Sequence, residues 1–180
     1  RRSNDAALPR RVLIPLSLSC PEIVRILTFL SEAGGDFAGW EVALRFHPHL
    51  PWEEFSRKYR RPLPKGVCVS RNRALDADLA GCGALAYTWS TVALEAYARG
   101  IPTIHLDILA PLRVDPLYAA QLLKFEAAAP EDLPAILRRL DQMPPAERLK
   151  GAEAASLFVQ EYFHPPQAAS LAVFFPEQDQ

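Results

Sequence analysis

Apolar positions along this chain fall into two alternating patterns, short strand-like runs and longer stretches with a helical repeat. Residues 12–18 form a nearly continuous apolar run and predict a first strand. Cys20-Pro21 then opens a helix over about residues 22–33, where Ile23, Ile26, Leu27 and Leu30 recur at helical spacing and should face a sheet. Gly34-Gly35 stops it. Residues 41–47 alternate, with Val42, Leu44 and Phe46 on one side and Ala43, Arg45 and His47 on the other. That pattern predicts a second strand ended by Pro48.

The same rhythm continues to the C-terminus. Residues 51–59 predict a short helix with Trp52 and Phe55 inward, residues 67–69 a short strand and residues 74–81 a short helix. Residues 83–88 and 102–106 read as central buried strands separated by a helix over 90–99. After a loop at 108–117, residues 122–127 hold a late strand, and helices at 130–142 and 146–163 flank the Pro144-Pro145 break. Strands separated by helices imply βαβ units. The expected fold class is therefore α/β, a Rossmann-like three-layer domain with a mainly parallel sheet. Residues 1–11 read as a lead-in, 12–163 as one α/β lobe and 164–180 as a tail.

Composition narrows the class. A chain of 180 residues with 49% hydrophobic content can build one full core. The net charge of −1 offers no basic face for coating nucleic acid. Cys20, Cys68 and Cys82 show no CxxC spacing and read as reduced thiols, hence a cytoplasmic setting, with the inner face of a membrane as a further expectation. Arg10-Arg11 followed by the apolar run to Cys20 faintly resembles a lipoprotein signal, but the run is short and Pro15 breaks it. No stretch reaches the length of a transmembrane helix. The chain begins at Arg1 rather than at methionine and reads as a piece of a longer protein.

The chemistry gathers where strands end. The turn Thr88-Trp89-Ser90-Thr91 joins a buried strand to a helix carrying Glu95. Free N–H groups at such a helix start suit an anion, and Glu95 could accept from sugar hydroxyls. An ordinary N-cap at Ser90 or Thr88 would need the same residues. Arg45-Phe46-His47-Pro48-His49 lies at the end of the second strand, on the same sheet edge, and an imidazole there can donate to phosphate. His47 and His49 lack a third ligand, so no metal is expected. Asp76, Asp78, Asp107 and Asp115 are candidates for general base work, and of these Asp107 follows a strand and belongs to the same edge. Asp76 and Asp78, two apart on a helix, point in different directions and suit a solvated face. No Walker loop, no GxGxxG turn and no GxSxG elbow is present.

Arg45–His49, then residues 78–96 through Thr88-Trp89-Ser90-Thr91 and Glu95, then Gly100-Ile101-Pro102, together resemble the C-terminal lobe of GT-B glycosyltransferases. Within that group the resemblance is to bacterial surface-polysaccharide enzymes, the sialyl- and polysialyltransferases and the wall-polymer glycerophosphotransferases. It spans about a third of the chain. The resemblance implies that His47 and Pro48 match a His-Pro motif gripping the donor, Ser90 and Thr91 the hydroxyl-rich phosphate turn, and Glu95 an acid that holds a ribose. Trp89 stands where a small residue is usual, and either narrows the pocket or stacks on a base. The implied ligand is a nucleotide-activated sugar or a CDP-linked donor, with no cofactor and no obligatory metal. An acceptor-binding N-terminal lobe lies outside this chain, and no catalytic base is assigned. A sugar-nucleotide 2-epimerase lobe and a non-catalytic interaction domain are the alternatives.

Overall fold

The computed structural model describes residues 8–72, 74–109 and 114–163. The first seven residues of the expected lead-in and the whole 164–180 tail lie outside them. Strands β1 (Arg11–Pro15), β2 (Glu41–Arg45), β3 (Val67–Val69), β4 (Ala84–Tyr87), β5 (Thr103–Leu106) and β6 (Lys124–Ala127) form one sheet in the order β3-β2-β1-β4-β5-β6. Every neighbouring pair is parallel. This is the doubly wound strand order, which reverses direction between β1 and β4. The helices are α1 (Cys20–Glu32), α2 (Trp52–Tyr59), α3 (Leu75–Gly81), α4 (Val92–Ala98), α5 (Asp132–Gln142) and α6 (Pro145–Tyr162). Right-handed crossovers place α1 and α2 on one face and α3 and α4 on the other.

Both faces are covered, and this alters the reading of the second strand. Val42, Ala43 and Leu44 are all fully buried, so the alternation there does not separate a wet side from a dry one. The strand also stops two residues early, at Arg45. Phe46 leaves the sheet to pack on Trp52 and Phe55, with ring centroids 5.5 and 5.6 Å away. The first strand is shorter than expected too, ending at Pro15 rather than residue 18. Backbone groups of successive strand residues point to opposite neighbours. The Leu16 N–H bonds to Arg45 O on β2 at 2.9 Å, so the missing N–H of Pro15 falls on the β4 side. The β1–β4 ladder pairs only Val12 with Ala84 and Leu13 with Leu85, whereas β1 pairs with β2 over five residues. The β1–β4 ladder ends at Leu13.

The longest helix, α6, packs on α4 through small residues. Gly151 and Ala155 are buried on it, and Gly100, just past α4, has φ +67°. A Cβ built on Gly100 would stand 2.5 Å from the Cβ of Ala152. Gly100→Ala therefore meets both a left-handed backbone and a close neighbour. It should cost roughly 1–3 kcal/mol in urea unfolding with an unchanged m-value. A neutral result would contradict the close approach of α6.

Candidate functional site at the strand-order reversal

Ligands of open α/β sheets sit outside the carboxyl ends of the strands where the order reverses. Here the two loops that flank that point are residues 16–19, between β1 and α1, and residues 88–91, between β4 and α4. One side chain ties them together. Glu22, in the first turn of α1, is 2% exposed and accepts hydrogen bonds from Ser17 Oγ and Thr88 Oγ1. Ser17 in turn accepts the Ser19 N–H at 2.9 Å, and Ser19 caps the helix. No arginine, lysine or histidine pairs with Glu22 among the described residues. A buried carboxylate here is stabilised by the two hydroxyls and by its place at a helix N-terminus.

Across the β4–β5 side, Thr88, Trp89, His105, Asp107 and Val114 line a small polar cavity. Trp89 is about one-third exposed, so one part of the indole is free to meet a flat ligand. Asp107 follows β5 as expected, its N–H bonded to Ala127 O at 2.9 Å. His105 is 3% exposed, and its Nδ1 has no hydrogen-bond partner among the described residues. Its ring lies 5.4 Å from that of Tyr87. Tyr87 donates to Asp115 Oδ1 at 2.7 Å, and Lys124 pairs with the other carboxylate oxygen. Burial favours the neutral acid in Asp115, but hydrogen bonds from Lys124, Tyr87 and the Leu117 N–H outweigh it and hold the carboxyl below its usual range. Burial, reinforced by Asp115, pushes the Tyr87 phenol far above its ordinary range. Asp115 therefore anchors the loop beside the cavity and is not poised as a base.

The sequence-predicted residues separate into groups. Thr88, Trp89 and Asp107 meet at the cavity. Ser90 and Thr91 form the start of α4, where Ser90 Oγ accepts the Val92 N–H at 3.3 Å and Thr91 is the N-cap without a side-chain bond. Glu95 is exposed, in the first turn of a helix of only seven residues. His47, Pro48 and His49 form a turn past β2, on the same sheet edge but on the other side of β1 from the cavity. The His49 N–H donates to His47 Nδ1 at 3.1 Å, so a neutral His47 ring carries its proton on Nε2.

Arg45 and Asp78 depart from their expectations. Arg45 Nη1 bonds Asp78 Oδ2 at 2.6 Å and Asn72 O at 3.0 Å, which makes it a framework residue. Asp78 is fully buried, not on a solvated face, and also accepts from Ser70 Oγ at 2.5 Å and Asn72 Nδ2 at 2.8 Å. Burial alone would raise its pKa, but bonds from Ser70, Asn72 and Arg45 win and lower it. Asp76 keeps the expected surface position, 2.5 Å from Arg99. Glu22 and His105 were not singled out from sequence. Ser19-Cys20-Pro21-Glu22 does fit a capping-box spacing, and His105 is a lone polar ring inside a core strand.

Among the described residues no cluster of three or more His, Cys, Asp or Glu side chains could hold a metal ion, and no helix is long and apolar enough to cross a membrane. No protein-family model matches the chain, and no curated protein matches it in sequence. Solved structures do match its fold. CalG4, the calicheamicin glycosyltransferase, superimposes with a TM-score of 0.57 at 18% identity, over 94% of this chain and 42% of that one. The glycosyltransferase VinC, in complex with DTDP, gives 0.53 at 20% identity over 84% of this chain and 40% of that one. The catalytic domain of cholesterol-α-glucosyltransferase from Helicobacter pylori gives 0.50 at 14% identity, over 86% of this chain and 99% of that one. The chain thus spans less than half the length of the first two. Its fold is an α/β Rossmann-like domain with a single parallel sheet, similar to part of each of those two glycosyltransferase structures.

Proposed function

We propose that residues 12–163 are the donor-binding lobe of a glycosyltransferase that uses a nucleotide-activated sugar. The observation that carries this reading is the meeting of Thr88, Trp89 and Asp107 at a small polar cavity on the β4–β5 side, next to the reversal of strand order. A VinC structure with DTDP in a related fold supports a nucleotide as the ligand. In this reading Trp89 lies against a ring of the donor and Asp107 accepts from its hydroxyls. The turn of Ser90 and Thr91 meets the leaving phosphate with N–H groups, hydroxyls and the positive end of α4. His47 Nε2 donates to the donor from the β2 side, next to Pro48 and His49. Glu95 takes the ribose. The acceptor and its lobe belong to the rest of the protein, and assembly of a surface polysaccharide is the process that the His-Pro and Ser/Thr motifs favour.

Calorimetric titration of the chain with CDP, UDP, GDP and dTDP tests the reading. Saturable binding of at least one is expected, and no heat for any at millimolar levels would overturn it. The His47 assignment has its own test. His47→Ala should weaken the bound nucleotide by about 1.5–3 kcal/mol, the range for a hydrogen bond to a charged group. His49→Ala should do much less, because that ring is exposed and its hydrogen bond to His47 is made by the backbone N–H, which the substitution keeps. Equal losses from the two substitutions would return His47 to a turn-forming role.

A further inference from the structure

Behind Thr88, which lines the cavity, lies Glu22, a carboxylate that is 2% exposed and has no cationic partner among the described residues. Its two contacts come from different loops, Ser17 after β1 and Thr88 after β4. A carboxylate accepts only, so both hydroxyl protons point at it. Thr88 lines the cavity, and with its proton committed it can present only lone pairs there. Ser17 has likewise committed its proton to Glu22, and it accepts from the Ser19 N–H. The first turn of α1, whose positive dipole end would otherwise attract an anion, already holds a negative charge.

We propose that Glu22 is a positioning and specificity-determining residue that, through Thr88, sets the polarity of the cavity wall. It fills the anion position at the start of α1 and turns Thr88 into an acceptor. A phosphate is therefore kept away from the β1 side, and the group that meets Thr88 is a neutral donor such as a ribose or sugar hydroxyl. The inference rests on the donor-lobe reading above, and it assigns Thr88 to a hydroxyl rather than to the phosphate.

Glu22→Gln removes the charge with little change of shape, and the informative probe is inorganic pyrophosphate. The parent chain and the variant are titrated with pyrophosphate by calorimetry, with circular dichroism to confirm that both are folded. Loss of one unit charge a few ångströms from the anion should raise pyrophosphate affinity by at least roughly three- to tenfold, the effect expected even at the dielectric of water. A purely structural role would lower the melting temperature and leave that affinity unchanged. An unchanged or weaker pyrophosphate affinity in the folded variant overturns the inference. Should Glu22→Gln not fold, Glu22→Met, of similar length and uncharged, is expected to give the same gain, and no gain there overturns it. A parallel titration of the parent with nucleoside diphosphates separates the two claims. Its failure removes the donor-lobe reading, while the pyrophosphate comparison still decides on Glu22.

Discussion

Asp78→Ala is expected to remove about 3–5 kcal/mol of folding stability, the range for stripping one partner from a buried ion pair. The side chain is fully buried and serves Arg45, Ser70 and Asn72, with Arg11 Nη2 a further 3.5 Å away. Removing it takes a shared buried acceptor from Arg45, Ser70 and Asn72 and loosens the loop that follows β3. The same carboxylate links stability to pH. Its folded-state pKa is lowered, so its contribution is present in full above the unfolded value of about 3.9 and is lost as pH falls through the lower folded value. Urea unfolding of the parent between about pH 2 and pH 5 should therefore show stability climbing with pH. The climb should be visibly shallower in Asp78→Ala. A cost below about 1 kcal/mol at neutral pH would mean that the pair is solvated and surface-like.

Asp115→Ala should be of similar size, about 3–5 kcal/mol, because it leaves the Lys124 ammonium and the Tyr87 hydroxyl without their shared acceptor. The Asp115 side chain is 7% exposed and that of Lys124 12%, so water cannot readily replace the lost bond. The effect reaches the site as well. Asp115 fixes the Leu117 N–H at 2.8 Å and adjoins Val114 on the cavity wall. Lys124→Met in the Asp115→Ala background should recover part of the loss, since an uncharged side chain removes the stranded cation. Denaturant unfolding of the single and double variants checks this. No recovery in the double variant would show that the hydroxyl of Tyr87, rather than the cation, dominates the cost.

These effects mark where sequence reading reached and where it stopped. The alternation of strand and helix was legible because each amphipathic stretch is bounded by Gly or Pro, as at Gly34-Gly35 and Pro144-Pro145. Strand ends were not, because packing set them. Phe46 follows an alternating pattern but belongs to an aromatic cluster with Trp52 and Phe55. Asp78 was misplaced for a related reason. The two-residue spacing from Asp76 describes the helix alone, whereas the burial of Asp78 is decided by Arg45, 33 residues earlier. Thr88, Trp89 and Asp107 were legible as a group because strand termini can be read locally and parallel strands bring them to one edge. Glu22 could not be joined to Thr88, 66 residues away, without the strand order that places β1 beside β4. Pro15 was read as breaking an apolar run. Its larger role, at the end of the β1–β4 ladder, appears only with the register.

The central claim is that a nucleotide donor binds at the cavity beside Trp89, and tryptophan fluorescence reads that most directly. Trp40 is buried away from solvent and Trp52 packs on Phe46, so Trp89 is the indole at the cavity. The chain is titrated with the nucleoside diphosphate that calorimetry selects, alongside its Trp89→Phe variant. The account predicts a saturable fluorescence change in the parent that disappears in Trp89→Phe. A change that survives the substitution, or binding heat with no change in Trp89 emission, would place the ligand elsewhere and contradict the account.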